Sequence, residues 1–178
     1  MDRVRVATVW FSGCAGCHMS LLDIDEALID LLDRIQFFNS PITDLKVFPE
    51  EGVDVTLIEG AIANEEHVEI ARVAREKSKL IIAFGDCAVT GNIPALRNGM
   101  CPDRMIEEIY GPETTTNGAL PYEVVPRLLD RVRPLHEVIP VDFFLHGCPT
   151  PPGVIAKTIL ALLDGKTPAL VGDDLKFG

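Results

Sequence analysis

The chain of 178 residues sets 16 basic against 27 acidic side chains, a formal net charge of −11. That balance excludes general nucleic-acid binding, which needs a cationic footprint, and by itself names no partner, since an acidic surface mostly serves solubility. A hydrophobic fraction of 47% with a mean hydropathy of +0.21 fills the core of about one domain or keeps a face for a partner.

Met1-Asp2-Arg3-Val4-Arg5 runs straight into a strand over Val4–Phe11, with neither a secretory apolar region nor a twin-arginine signal, so a cytoplasmic location is expected. A tight loop at Ser12–Gly16 follows. Leu21, Leu22, Ile24, Leu28, Ile29, Leu31, Leu32 and Ile35 then recur at helical spacing and predict one helix of about 5 turns. Asp44–Phe48 and Val53–Glu59 read as strands, the second more buried. Asn64 followed by Glu65 and Glu66 is a helix start, an N-cap with acidic residues in the first turn. That helix is expected to reach about Lys77, with Val68, Ile70, Ala71, Val73 and Ala74 inward.

Lys79–Phe84 is the clearest central strand, ending at Gly85. Residues 88–125 then break the rhythm: Gly91, Pro94, Gly99, Pro102, Gly111, Pro112, Gly118 and Pro121 leave room for short helices, and an ordered insertion of that length is usually functional. Pro126–Val132 looks helical, Val138–Leu145 reads as a strand, and Gly153–Leu163 as a closing helix after Pro151-Pro152. Residues 165–178 resemble a surface tail. The apolar runs, such as Leu80–Phe84 and Val141–Leu145, are strand-length against the roughly 20 residues that span a bilayer. Strand–helix alternation with strands buried on both faces predicts an α/β fold: a flavodoxin-like, doubly wound parallel sheet in a single domain over residues 1–178.

Four of the five cysteines follow predicted strands: Cys14 and Cys17 in Ser-Gly-Cys-Ala-Gly-Cys, Cys87 in Phe-Gly-Asp-Cys-Ala, and Cys148 in His-Gly-Cys-Pro. A doubly wound sheet would deliver all four sulfurs to the rim at the carboxyl ends of its strands. In a reducing compartment, cysteines point to metal or redox chemistry rather than a disulfide framework. An iron–sulfur cluster fits this spacing. Structural zinc prefers a second closely spaced pair, a thioredoxin-type pair would leave two cysteines idle, and buried inert thiols are the plainest alternative. Gly13, Gly16, Gly85 and Gly147, each beside a cysteine, would let amide N–H groups approach cluster sulfides, and Pro149 repeats a pattern of ferredoxin-type ligand runs. His18 and His146 flank the site and are candidates for hydrogen bonds to it or for carrying protons, with a plain surface role as the alternative. Cys101, in the insertion, reads as an ordinary thiol. The Lys-Ser/Thr of a phosphate loop is absent, no GxGxxG opens a helix, and in the first loop cysteines stand where a bound FMN phosphate would want hydroxyl groups.

Trp10-Phe11-Ser12-Gly13-Cys14-Ala15-Gly16-Cys17-His18-Met19-Ser20-Leu21-Leu22-Asp23 resembles the proximal-cluster motif of nickel–iron hydrogenase small subunits. Glu59-Gly60-Ala61-Ile62, Gly85-Asp86-Cys87-Ala88-Val89-Thr90-Gly91 and Gly147-Cys148-Pro149 look like the later segments of the same family, in the same order. The chain resembles the short small subunits of cytoplasmic, bidirectional NAD-reducing hydrogenases. The resemblance implies that Cys14, Cys17, Cys87 and Cys148 hold one 4Fe-4S cluster beside a nickel–iron centre on a large subunit. It implies that electrons leave through an iron–sulfur and flavin diaphorase module. It gives this chain no catalytic residue and no C-terminal domain with further clusters, and it leaves two alternatives: the small subunit of an F420- or sulfur-reducing hydrogenase, or a zinc-stabilised interaction module. Met19 stands where many members place a glutamate with a proposed proton-transfer role, and Asn92 where a second glycine is common, a change expected to alter only a loop.

Overall fold

Five parallel strands form the central sheet: β1 (Val4–Trp10), β2 (Ile35–Asn39), β3 (Val53–Glu59), β5 (Ser78–Phe84) and β7 (Phe143–Leu145), in the order β2-β1-β3-β5-β7. The computed structural model describes residues 3–113 and 119–176. The order is the flavodoxin-like one, with its switch point between β1 and β3. A small antiparallel pair, β4 (Ile62–Asn64) with β6 (Leu128–Arg133), stands beside it.

Alternation along the strands divides the core in two. Val55 and Leu57 of β3 with Ile82 and Phe84 of β5 face the helices α1 (Gly16–Leu22), α2 (Glu26–Leu32) and α6 (Pro152–Leu163). Ile58 with Ile81 and Ala83 face α3 (Glu65–Lys77) and α4 (Asp86–Thr90). Helices therefore cover both faces, as expected of a doubly wound sheet. Ile155 of α6 is fully buried in the first half. Ile155→Ala is expected to lower stability by about 2–5 kcal/mol, read as a lower urea midpoint.

The register aligns the strand ends. Trp10, Glu59, Phe84 and Leu145 are successive partners across β1, β3, β5 and β7, one row at the carboxyl edge from which three cysteine loops depart.

Asn64 caps α3 as expected, its side chain accepting from the His67 N–H at 2.8 Å. Four other elements differ from expectation. The first long helix is two short ones, broken at residues 23–25, where Asp25 takes φ 57°. That break frees the chain to turn, so residues from Ile35 form edge strand β2 rather than a last helical turn. Residues 44–48 hold a single bridge, Asn39 to Lys46, whose ammonium reaches the Ser40 carbonyl at 2.9 Å instead of extending a ladder.

The segment read as a helix at 126–132 is β6. Leu128, Leu129 and Val132 suit either period, and tertiary partners decide. Asn98 exchanges two hydrogen bonds with the Val132 backbone, at 2.7 and 2.9 Å, and Arg97 donates to the Leu129 carbonyl at 2.9 Å. The strand expected over 138–145 shortens to β7, because Pro140 cannot donate to a ladder and residues 135–137 make a 3-10 turn.

Within residues 88–125 the described part contains the end of α4, a 3-10 segment at Ile93–Gly99 and α5 (Pro102–Tyr110); residues 114–118 lie outside the described residues. In the tail a 3-10 turn at Gly172–Leu175 is tied to α6 by the Lys157–Asp174 ion pair.

Candidate metal centre

The loop after β1 is pinned to the segment after β3. Phe11 N–H donates to the Glu59 carbonyl at 2.8 Å, and Ser12 and Ala61 exchange two backbone bonds at 3.1 and 2.8 Å. Gly60 makes this approach possible: at φ 91°, a Cβ there would stand 2.7 Å from the Phe11 carbonyl carbon. The loop then enters α1, leaving Cys14 exposed and Cys17 buried.

Glu59 closes β3 underneath. Its carboxylate accepts from Cys17 N–H at 3.2 Å, from His18 N–H at 2.9 Å and from the His18 Nδ1–H. Glu59 and His18 are both buried, at 2% and 1% exposure, which removes water as a competitor for these bonds. The first N–H groups of α1 thus meet a fixed carboxylate, as the positive end of a helix favours. Among the described residues His18 Nε2 has no hydrogen-bond partner.

The third and fourth cysteines arrive from β5 and β7. Gly85, at φ 81° and ψ 163°, turns the chain from β5 into α4, which carries Cys87. The two loops are cross-braced: Asp86 N–H donates to the Gly147 carbonyl at 2.9 Å, and Gly147 N–H to Asp86 Oδ1 at 2.9 Å. Cys148 and Pro149 follow on the exposed rim before α6.

The three cysteine loops converge. A Cβ on Gly85 would lie 2.1 Å from Cys17 Sγ, and one on Gly16 would lie 3.1 Å from Cys14 Sγ and 3.7 Å from Pro149. Burial pushes the Cys17 thiol up to about 12, with Glu59, Cys87 and Cys14 adding to the rise and the Thr150 backbone N–H opposing it. Burial also raises Cys87, helped by Cys148 and Cys14 and opposed by Asn92 and the Ile93 backbone. The Cys17 and Cys87 thiols therefore each lie within electrostatic reach of two of the other cysteines. Cys101 stands apart at the start of α5, exposed.

The donor set suits an iron–sulfur cluster better than a lone ion. Tetrahedral zinc, at a Zn–S distance of about 2.3 Å, draws its sulfurs to roughly 4 Å from one another. Among the described residues no group of three or more His, Cys, Asp or Glu side chains is arranged to hold a single metal ion. Ligands to separate irons of a cluster stand farther apart, and four thiols in hydrogen-bonded loops are their usual donors.

The amides of the glycines beside the cysteines meet different acceptors. Gly16 N–H donates to Cys14 Sγ at 3.3 Å. Gly85 N–H is taken by the Leu145 carbonyl at 2.8 Å, and Gly147 N–H by Asp86. Those two glycines are required by close packing. Gly13 sits above Gly60, where a Cβ would be 3.4 Å from its Cα. His146 is half-exposed, with Nδ1 3.7 Å from Asp86 Oδ1. Two residues that sequence reasoning gave no role at the centre belong to it: Glu59, and Asn92, whose side-chain amide reaches Cys148 Sγ at 3.4 Å. A glutamate ending an otherwise apolar strand was the available signal for the first.

Residues 14–162 match the family model described as NADH ubiquinone oxidoreductase, 20 Kd subunit. The chain belongs to this 20 Kd subunit family. Within the family it stands with the hydrogenase small subunits. One subunit of the F420-non-reducing hydrogenase of Methanothermobacter thermautotrophicus is 44% identical over 169 residues, 93% of this chain and 55% of that protein. The delta subunit of the NAD-reducing hydrogenase HoxS of Cupriavidus necator is 36% identical over 169 residues, 92% of this chain and 80% of that protein. The crystal structure of an NAD+-reducing [NiFe]-hydrogenase in the H2-reduced state contains a chain that superposes with a TM-score of 0.93 at 35% identity, covering 99% of this chain and 100% of that one. The chain spans about half the length of the F420-non-reducing relatives. Among the described residues no helix is long and apolar enough to cross a membrane.

Proposed function

We propose that this chain is the electron-relay small subunit of a cytoplasmic NAD-reducing nickel–iron hydrogenase, with Cys14, Cys17, Cys87 and Cys148 holding one 4Fe-4S cluster. The observation that carries the reading is the convergence of four thiols from three loops at the carboxyl edge of the sheet. The whole-length superposition on a chain of an NAD+-reducing hydrogenase supports NAD as the final acceptor. When bound, a cluster supplies one-electron transfer between a nickel–iron centre on the large subunit and a flavin-containing diaphorase module.

The chain's own residues do the positioning. Glu59 and the Ser12–Ala61 bridge fix the first cysteine pair, and Asp86 locks the third loop to the fourth. Apolar side chains close to the first and third cysteine loops in sequence are exposed, with Trp10 at 47%, Met19 at 56%, Ile93 at 63% and Leu96 at 73%. Exposed apolar surface of this kind marks a partner's footprint, here that of the large subunit. The cover excludes water from a centre whose outer ligands, Cys14 and Cys148, stand open in the single chain.

The 44% identity to a subunit from an F420-non-reducing hydrogenase favours a second reading, the same relay serving another acceptor. Purification of the tagged chain under nitrogen distinguishes the two. Recovery with a nickel-containing subunit and a flavoprotein, active in hydrogen-dependent NAD reduction, is the expected result; hydrogen oxidation with artificial dyes but not NAD supports the second. For the site itself, Cys87→Ser is expected to cost most of the iron and the broad absorbance bleached by dithionite, while Cys101→Ser leaves both intact. Equal iron in the two variants would remove Cys87 from the ligand set.

A further inference from the structure

The turn after α4 holds a residue that its backbone does not favour. Gly91 and Asn92 take φ 88° and φ 34° in succession, and Asn92, with ψ −127°, lies near the first central position of a type II′ turn, where glycine dominates. Asparagine tolerates positive φ better than most residues but is still disfavoured there relative to glycine. The backbone alone gives no reason for it.

The side chain does. Asn92 Nδ2 stands 3.4 Å from Cys148 Sγ and 4.0 Å from Cys87 Sγ, so one carboxamide spans ligands contributed by two different loops. The turn holds it there: Asn92 N–H donates to Thr90 Oγ1 at 3.3 Å, and its carbonyl accepts from Ala95 N–H at 3.2 Å. A thiolate is an acceptor, so the amide presents its NH2 group and not its oxygen. N–H donors to ligand sulfurs stabilise the reduced, more negative cluster and raise its reduction potential.

We propose that Asn92 is a potential-setting residue, clamping Cys148 and Cys87 with its side-chain amide and holding the cluster at a higher potential than a glycine at this position would. The inference rests on the four-cysteine cluster proposed above. Asn92→Gly removes the donor and relieves the backbone, so this variant folds at least as well as the parent. Asn92→Asp keeps the shape but replaces the donor with a negative charge.

Potentiometric titration followed by electron paramagnetic resonance, on the whole complex purified anaerobically, reads the outcome alongside iron and sulfide content. At the parent midpoint, Asn92→Gly is expected to lower the reduced-to-oxidised ratio by about threefold to tenfold, a shift of roughly 30–60 mV for one electron. Asn92→Asp is expected to lower it further, with cluster content retained in both. An unchanged midpoint in a fully loaded Asn92→Gly complex would overturn the proposal and leave the ligand assignment standing. A parent chain without iron and sulfide would overturn both.

Discussion

Gly85→Ala is expected to abolish metal binding at the proposed centre while leaving most of the sheet intact. Gly85 sits at φ 81° and ψ 163°, a region open essentially to glycine, and a side chain there costs about 1–3 kcal/mol in backbone strain. The added methyl would also lie 2.1 Å from Cys17 Sγ, inside any allowed contact. Cys17 is buried in α1 and its backbone is held by Glu59, so the sulfur yields only by rotating about its own Cα–Cβ bond, out of its present place. Otherwise relief comes from the Gly85 loop, which carries Cys87 and is braced to the Cys148 loop. The measurable result is loss of most bound iron, with the far-ultraviolet circular dichroism retained and the melting temperature lowered. Full iron loading in Gly85→Ala would show that Cys17 does not stand where the cluster is held.

Glu59→Ala is expected to be the most destabilising change of a charged residue. Three donors lose their acceptor at once: two backbone N–H groups of α1 and the imidazole N–H of buried His18. An orphaned buried donor costs about 1–3 kcal/mol, and water does not reach these to compensate. A loss of about 3–5 kcal/mol follows, allowing for relaxation. Glu59→Gln keeps one acceptor oxygen but turns an NH2 group toward a donor, so about 1–3 kcal/mol is expected. Denaturant midpoints of the two variants check the order. If Glu59→Ala unfolds like the parent, the carboxylate does not anchor the loop. Both variants should also loosen the first cysteine pair, seen as faster alkylation of Cys17 by a thiol reagent in the metal-free chain.

The parts of the fold that could be read from residues are those where local and tertiary preferences agree. Lys79–Phe84 is apolar and β-branched and ends at a glycine; it is a central strand. Asn64 with two glutamates after it is a cap, and it caps. Periodicity failed where it is ambiguous. Leu128, Leu129 and Val132 fit a helix or a strand, and the choice is made by Arg97 and Asn98 from another part of the chain. The break between α1 and α2 carries no proline or glycine, only Asp25 in an unusual conformation, so spacing alone ran the helix through it.

At the proposed centre, the cysteines stand out by type and by their place after strands. Glu59 and Asn92 did not, because their roles depend on where neighbouring loops end. A carboxylate is ordinary in a sequence and becomes informative when it is buried beneath three donors. An asparagine in a glycine-rich turn reads as turn chemistry until its amide is seen against two sulfurs.

The aligned row of Trp10, Glu59, Phe84 and Leu145 acts as a ruler. Neighbouring strands in a sheet lie about 4.8 Å apart, and the row fixes the height from which each loop departs. Spacing among the sulfurs is therefore inherited from the ladder rather than from the helices that separate the motifs in sequence. Lengthening the chain between α3 and β5, or beyond α5, leaves that spacing untouched. A one-residue insertion inside β3 or β5 would carry Glu59 or Phe84 off the row and turn the strand's faces over. Lineages of this protein can drift widely in the lengths of their connections, while the four strands that end on the ruler must keep step.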